Sequence, residues 1–326
     1  MKRREMIAAL GGAAAWPLAA RAQQTAMPVI GILNPTTPGG VWLPLEAAFR
    51  QGLSDSGYTE GRNVRIEGRW AEGQYDRLPA LAADLTQHGV AAIAAFTTPA
   101  AKAAKAATAT IPIVFTTISD PVQMGFVASL NRPGGNMTGV SVLAVEVGPK
   151  LLELLHAAVP SAKAIGLLIN PRNPNADAQS KNLQTAAQRL GLQLHVLNAS
   201  TQGDLEPVFA RVQELKVSAL IIAQDALFNT QTGQLADLSV RYVVPAIYPD
   251  RDFAEAGGLM SYGTELRDVY RQAGIYAGRI LKGEKPADLP VIQASKFELI
   301  INLKTARTIG LTLSPDLVSI ADEVIE

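Results

Sequence analysis

Active sites are most often assembled from histidine, cysteine and activated serine, and this chain offers few of them in workable spacing. Its three histidines, His88, His156 and His195, sit in or beside separate elements with no ligand spacing between them. A surface or capping role fits each better than metal ligation. Cysteine is absent, which excludes disulfides, thiolate metal sites and cysteine catalysis. Neither a Walker A loop nor a Gly-x-Ser-x-Gly elbow occurs. The run Gly134-Gly135-Asn136-Met137-Thr138-Gly139 precedes a strand instead of linking strand to helix, so it is not a dinucleotide fingerprint. A loop needing glycine's positive φ explains it better. The expectation is no catalytic residue, no metal and no cofactor.

A second set of side chains is suited to holding a molecule without reacting with it. These polar and aromatic residues fall just past the ends of aliphatic runs, where α/β sheets bind ligands. Asn34 and Thr36 follow the first run, with Trp42 shortly after. Thr97 and Thr98 follow another, and Ser119 and Asp120 the next. Further along come Asn170 and Asn173, Gln224 and Asp225, and Tyr248. Several have two readings. Thr98 is placed as an N-cap, either a plain one or one whose helix end holds a carboxylate. Asp120, before Pro121, either pairs with a ligand ammonium or forms a turn. Asp225 either contacts ligand or caps the helix after it. Trp42 and Tyr248 either stack on a ligand ring or pack in the core. Together the set suits a zwitterionic or neutral organic solute with an apolar or aromatic part, and suits phosphate poorly.

The elements that must carry these residues alternate. Val29–Leu33, Val64–Glu67, Val90–Phe96 and Ile111–Phe115 read as strands. Pro44–Ser56, Tyr75–His88 and Ala100–Ala109 between them read as helices. The second half repeats the scheme, with strands at Ala164–Ile169, Leu192–Asn198, Ala219–Ala223 and Pro245–Tyr248. Its helices are Ala176–Leu190, Leu205–Lys216 and Leu227–Arg241. A long helix, Tyr262–Leu281, and a strand, Phe297–Ile301, follow, and acidic Asp322-Glu323 reads as a solvated helix face. Buried aliphatic strands alternating with helices predict an α/β fold of two doubly wound parallel-sheet units with a ligand cleft between them.

The first 22 residues set the compartment. Lys2, Arg3 and Arg4 precede an apolar run from Met6 to Ala20, then Ala20-Arg21-Ala22. This is the pattern of a secretory signal cut near Ala22, also compatible with twin-arginine export. The run is too short to span a bilayer, which takes about 20 residues. Removing the segment takes away four basic residues and one acidic from 29 of each, leaving 25 against 28, a net charge of −3. Such a surface has no basic field for nucleic acid or anionic lipid. With no later membrane span, the expected product is a soluble periplasmic protein.

Phrases along the whole remaining chain resemble one family. They include Phe49-Arg50-Gln51-Gly52-Leu53, Gly57-Tyr58-Thr59-Glu60-Gly61-Arg62-Asn63-Val64 and Leu130-Asn131-Arg132-Pro133-Gly134-Gly135-Asn136. Ala256-Gly257-Gly258-Leu259-Met260-Ser261-Tyr262-Gly263 and Ala321-Asp322-Glu323-Val324-Ile325 continue the series. The chain is similar to type I periplasmic binding proteins of ABC importers, in the branch that includes tryptophan-binding members. The resemblance implies two lobes joined by three crossings and closing on a small solute. Residues 28–141 plus 262–290 would form one lobe, and 142–261 plus 291–326 the other. The helix Arg267–Leu281 would then belong to the first. Ser141 and Tyr262 would sit at crossings, touching ligand or forming the hinge. It also implies a monomer that delivers its solute to an inner-membrane ABC permease; the polar and aromatic set above makes an amino-acid-like solute, aromatic ones included, the expected one. The alternative is a sensory module of the same fold presenting its closed form to a membrane receptor. A transcription repressor of similar fold is disfavoured, because no DNA-binding helix pair precedes Val29.

Overall fold

The computed structural model describes residues 27–142, 144–294 and 296–326. The expected signal segment, 1–22, lies outside the described residues. The first lobe winds through β1 (Val29–Asn34), α1 (Leu43–Asp55), β2 (Arg65–Trp70), α2 (Leu78–Gln87), β3 (Ala92–Ala95), α3 (Thr98–Ala107), β4 (Ile113–Thr117) and β5 (Met137–Ser141). The second contains α4 (Ala144–Ala158), β6 (Ala164–Ile169), α5 (Ala176–Arg189), β7 (Gln193–Asn198), α6 (Leu205–Glu214), β8 (Ala219–Ile222), α7 (Ala226–Thr230), α8 (Thr232–Arg241), β9 (Ala246–Tyr248), α9 (Arg251–Glu255) and β10 (Met260–Thr264). The chain then returns with α10 (Leu266–Leu281) and β11 (Ile292–Gln293). It ends in β12 (Phe297–Asn302), α11 (Leu303–Thr308), α12 (Pro315–Ser319) and β13 (Glu323–Ile325).

The two sheets have strand orders β11-β5-β4-β3-β1-β2 and β13-β12-β10-β9-β8-β6-β7. Every pairing is parallel except β10 with β12. Central strands such as β3 and β4 are buried along their whole length, which is why they read as unbroken aliphatic runs. Helices cover both faces, giving two apolar clusters for each sheet.

Four local expectations are corrected. The helix expected from Tyr262 starts only after Glu265. Tyr262 lies in β10, with its ring stacked on Phe297 at 5.8 Å. The stretch 227–241 is two helices, broken at Gln231. The acidic tail is not a helix face: Glu323 is in β13, and Asp322 Oδ2 accepts the Leu299 N–H at 2.8 Å. Helix α4 was not anticipated at all; Pro149 within it masks the periodicity.

Pairing also locates the crossings. Thr264 still pairs with Phe297 in the second sheet, and Ile292 pairs with Val140 in the first. The chain therefore passes between lobes at Glu265 and again between Gln293 and Lys296, a few residues beyond 262 and 291. Helix α10 packs backbone to backbone on α1. A Cβ on Gly52 would lie 1.9 Å from the Arg271 carbonyl oxygen, and one on Gly274 2.1 Å from that of Phe49. Only glycine allows the approach.

Candidate functional site

The carboxyl ends of both sheets face one another across a seam. Residues from β3, β4, α3 and α10 close on the turns after β6 and β8. The lining includes Trp42, Tyr75, Thr97, Thr98, Thr116, Thr117, Ile118, Val142, Leu266, Val269 and Tyr270 from the first lobe. Asn173, Asn175, Gln224, Asp225 and Asn229 face them from the second. The inner space is about 50 Å³ at this degree of closure.

The first-lobe wall is apolar and aromatic at its back. Trp42 lies 5.7 Å from Tyr270, Tyr270 4.5 Å from Phe96, and Phe96 5.3 Å from Phe49, centroid to centroid. Each such pair adds about 0.5–1.5 kcal/mol beyond area burial, so the ladder fixes the wall. Trp42 is 2 % exposed, and its Nε1 has no hydrogen-bond partner among the described residues.

In front stands the start of α3. Thr97 caps it with φ 79° and ψ 160°, a backbone region that is essentially glycine's, and makes no side-chain cap bond. Holding threonine there costs about 1–3 kcal/mol. Its N–H donates to Thr116 Oγ1 at 3.0 Å, while its own buried Oγ1 has no partner. Thr98 is the first helical residue, not the N-cap. Its hydroxyl instead meets Thr117 Oγ1 at 2.8 Å. Pro99 follows, where a helix needs no N–H.

The second-lobe wall is a closed polar network. Asp225 Oδ1 accepts from Asn170 Nδ2 at 3.1 Å and from the Leu227 N–H at 2.8 Å. Its Oδ2 accepts from Asn173 Nδ2 at 2.6 Å and from Tyr75 Oη at 2.9 Å. Four donors fill the acceptor capacity of one carboxylate, so Asp225 has no position left for an ammonium. Burial pushes its carboxyl up against the opposing pull of these donors. Asn170 Oδ1 takes the Arg172 N–H, and Asn173 Oδ1 the Asn175 N–H.

The remaining expected residues divide. Ser119 meets Asn175 Oδ1 across the seam, and Ser141 Oγ donates to the Ser119 carbonyl at 3.2 Å, supporting the turn. Gln224 lines the inner space. Asn34 does not: its Oδ1 closes a turn onto Thr36 N and Oγ1 at 3.1 and 2.9 Å. Thr36 faces an adjoining outer groove. Asp120 spends Oδ1 on the Val122 and Gln123 N–H groups, the turn-forming reading, and is not in the lining. Tyr248 is fully buried, edge-on to Phe253, with its hydroxyl donating to Asn229 Oδ1. It positions a lining residue without touching the space. Tyr262 also lies outside the lining.

Sequence reasoning missed Tyr75, Asn175, Asn229 and Tyr270. Asn175 had a signal, since Asn170, Asn173 and Asn175 belong to one turn and only the first two were taken. Tyr75 lies five residues beyond β2 and Tyr270 on a core helix, so strand-end reasoning reaches neither.

Comparison with known proteins agrees with this geometry. The family model for ABC transporter substrate binding proteins matches residues 44–325. A tyrosine-binding protein of Clostridioides difficile is 28 % identical over 264 residues, 81 % of this chain and 75 % of that protein. An ABC domain from Streptococcus pneumoniae in complex with L-Trp is 25 % identical, with TM-score 0.81, covering 92 % of this chain and 100 % of that one. A ligand-free, open substrate-binding protein with adhesive properties from Clostridium difficile is also 25 % identical, covering 92 % and 99 %. Its TM-score is only 0.64. With a model match across most of its length and this two-lobed α/β cleft, the chain belongs to the ABC transporter substrate-binding protein family.

Proposed function

We propose that this protein is an exported, periplasmic receptor that captures a small amino-acid-like solute, aromatic ones included, and passes it as a monomer to an inner-membrane ABC permease. The observation that carries this is the seam itself, an aromatic wall on one lobe facing a rigid amide and carboxylate network on the other. Among the described residues no lysine or arginine lines the inner space, which fits a zwitterion better than phosphate. Unpartnered Trp42 Nε1 and Thr97 Oγ1 await polar groups of a solute. The first N–H groups of α3, left without helical partners, offer a place for its carboxylate. The relatives that bind tryptophan and tyrosine point the same way. We read the cleft as capture without chemistry, since the described residues place no reacting constellation in it.

The test is thermal unfolding of the protein lacking residues 1–22 across the amino acids and small organic acids, followed by calorimetric titration. A ligand at a hundredfold excess over Kd stabilises by about 2.7 kcal/mol. Trp42→Ala should weaken the best ligand at least about tenfold, as loss of a buried aromatic anchor does. A panel without any shift, or a Trp42→Ala protein that binds as well as the original, overturns the reading. So does turnover of any bound compound.

A further inference from the structure

Among the described residues, hydrogen bonds join the two lobes at two places along the seam. Inside, Asn175 on the second lobe spends both ends of its amide on the first. Its Nδ2 donates to Thr98 Oγ1 at 3.1 Å, and its Oδ1 accepts from Ser119. Nearer the mouth, Tyr75 Oη on the first lobe donates to Asp225 Oδ2 at 2.9 Å. Both Asn175 and Asp225 are held from behind, Asn175 by its N–H to Asn173 Oδ1 and Asp225 by its three other donors. A partner fixed in advance costs little ordering when the bond forms.

The two bridges differ in what they border. Asn175 lines only the inner space of about 50 Å³. Tyr75 also lines the outer groove of about 490 Å³, which runs along Pro35–Gly40, Arg172 and Ser200–Gln202. Tyr75 and Ala226 are common to both spaces. Burial, with the Asp225 charge next, pushes the Tyr75 hydroxyl well above its ordinary pKa, so it remains a donor across the working pH range.

We propose that Tyr75 is the size-determining gate of the cleft. Its bond to Asp225 latches the lobes and separates the inner chamber from the outer groove. A compact solute is enclosed with the latch made. A solute with a large side chain extends past Tyr75 into the groove and forfeits the latch. Asn175 is a latch alone. The inference rests on the reading of this seam as the solute site, and it assigns Asp225 to closure instead of to the solute's ammonium.

The experiment compares the original protein with Tyr75→Phe, Tyr75→Ala and Asn175→Ala. Each is titrated with a series of amino acids of rising side-chain size, from glycine to tryptophan. Scattering of the same proteins without added ligand reads closure directly. Loss of one net hydrogen bond corresponds to about 2- to 10-fold in an equilibrium. Tyr75→Phe should therefore enlarge the radius of gyration and weaken compact solutes by about that factor, sparing large ones. Tyr75→Ala should shift the ratio of large-solute to small-solute affinity upward by at least about tenfold. Asn175→Ala should weaken the whole series by one common factor, leaving the ratio unchanged. The gate is overturned if Tyr75→Ala leaves the ratio where it was, or if Tyr75→Phe leaves the radius of gyration unchanged. If the original protein binds no member of the series, the amino-acid reading fails. Scattering then still decides whether Tyr75 latches the lobes.

Discussion

The two walls of the cleft handle their polar atoms in opposite ways. On the second lobe, Asp225, Asn170 and Asn173 satisfy one another and the turns that carry them. On the first, Trp42 Nε1 and Thr97 Oγ1 are buried without partners, and Thr97 is held in a backbone conformation costly to threonine. Buried polar atoms without partners are expensive, and under the proposed function a solute's polar groups would satisfy these two. The lesson is a division of labour. Under the proposed function the first wall is left open to a solute's polar groups, and the second is a prefabricated frame that the first closes against.

Asp225→Ala should break this contrast hardest. It strands the Asn170 and Asn173 amides, the Leu227 N–H and the Tyr75 hydroxyl inside the seam. Unsatisfied buried donors cost about 1–3 kcal/mol each, and with partial relaxation a loss of about 3 kcal/mol is expected in urea unfolding. A loss under about 1 kcal/mol would show that the network is not the frame described.

Asp250 sharpens the comparison, because it is a second-lobe carboxyl without such a set of donors. One oxygen accepts the Asp252 N–H at 3.1 Å. Burial first, then the neighbouring Asp252 and Glu255 charges, push it up to about 7, against the opposing pull of the Asp252 N–H and of Arg251. The folded state then holds a proton that the unfolded chain has released above about pH 4. Stability should fall as pH rises between about 4 and 7, by up to about 1.4 kcal/mol per pH unit, and level off above. Asp225 and Asp252 are shifted in the same direction. Asp55, Asp84, Asp204 and Glu284 are held below their ordinary values. Their contributions are present above those values and are lost only as pH falls further. Asp250→Asn should flatten the slope between pH 5 and 7. An equal slope in that variant would assign the titration elsewhere.

Thr97→Gly should have the smallest effect and the opposite sign. Glycine adopts this conformation without strain, so the melting temperature should rise by the equivalent of about 1 kcal/mol, less the entropy that glycine costs in the unfolded chain. A fall in melting temperature would show that Thr97 makes a contact worth more than its strain.

Much of the scaffold was legible in the sequence because aliphatic runs such as Val29–Leu33 and Ala219–Ala223 have only one use, the middle of a covered parallel sheet. Strand ends led to Thr97, Asn173 and Asp225 for the same reason. The rule failed where a strand's end residue faces inward, as at Asn34 and Tyr248. It also failed where a lining residue comes from a helix, as with Tyr270. The polar character of Asp120 and Asp225 was visible, but not how many backbone and amide donors each would meet. That number depends on turns whose geometry no spacing encodes. Strand β10 was hidden because Ser261-Tyr262-Gly263 alternates too briefly to oppose the helical pattern beginning at Leu266.

The glycine-to-backbone crossing of α1 with α10 bears on the order of assembly. Ser56 Oγ reaches the Ile275 carbonyl, 219 positions later, so a chain growing from its amino end cannot complete its first lobe until nearly all of it has been synthesised. Leu45, Phe49 and Leu53 on α1 lack the α10 part of their cover through that interval, the period in which a newly made chain is most exposed to aggregation. A chain built this way has a reason to stay unfolded, or to be held by a chaperone, until translation is almost over.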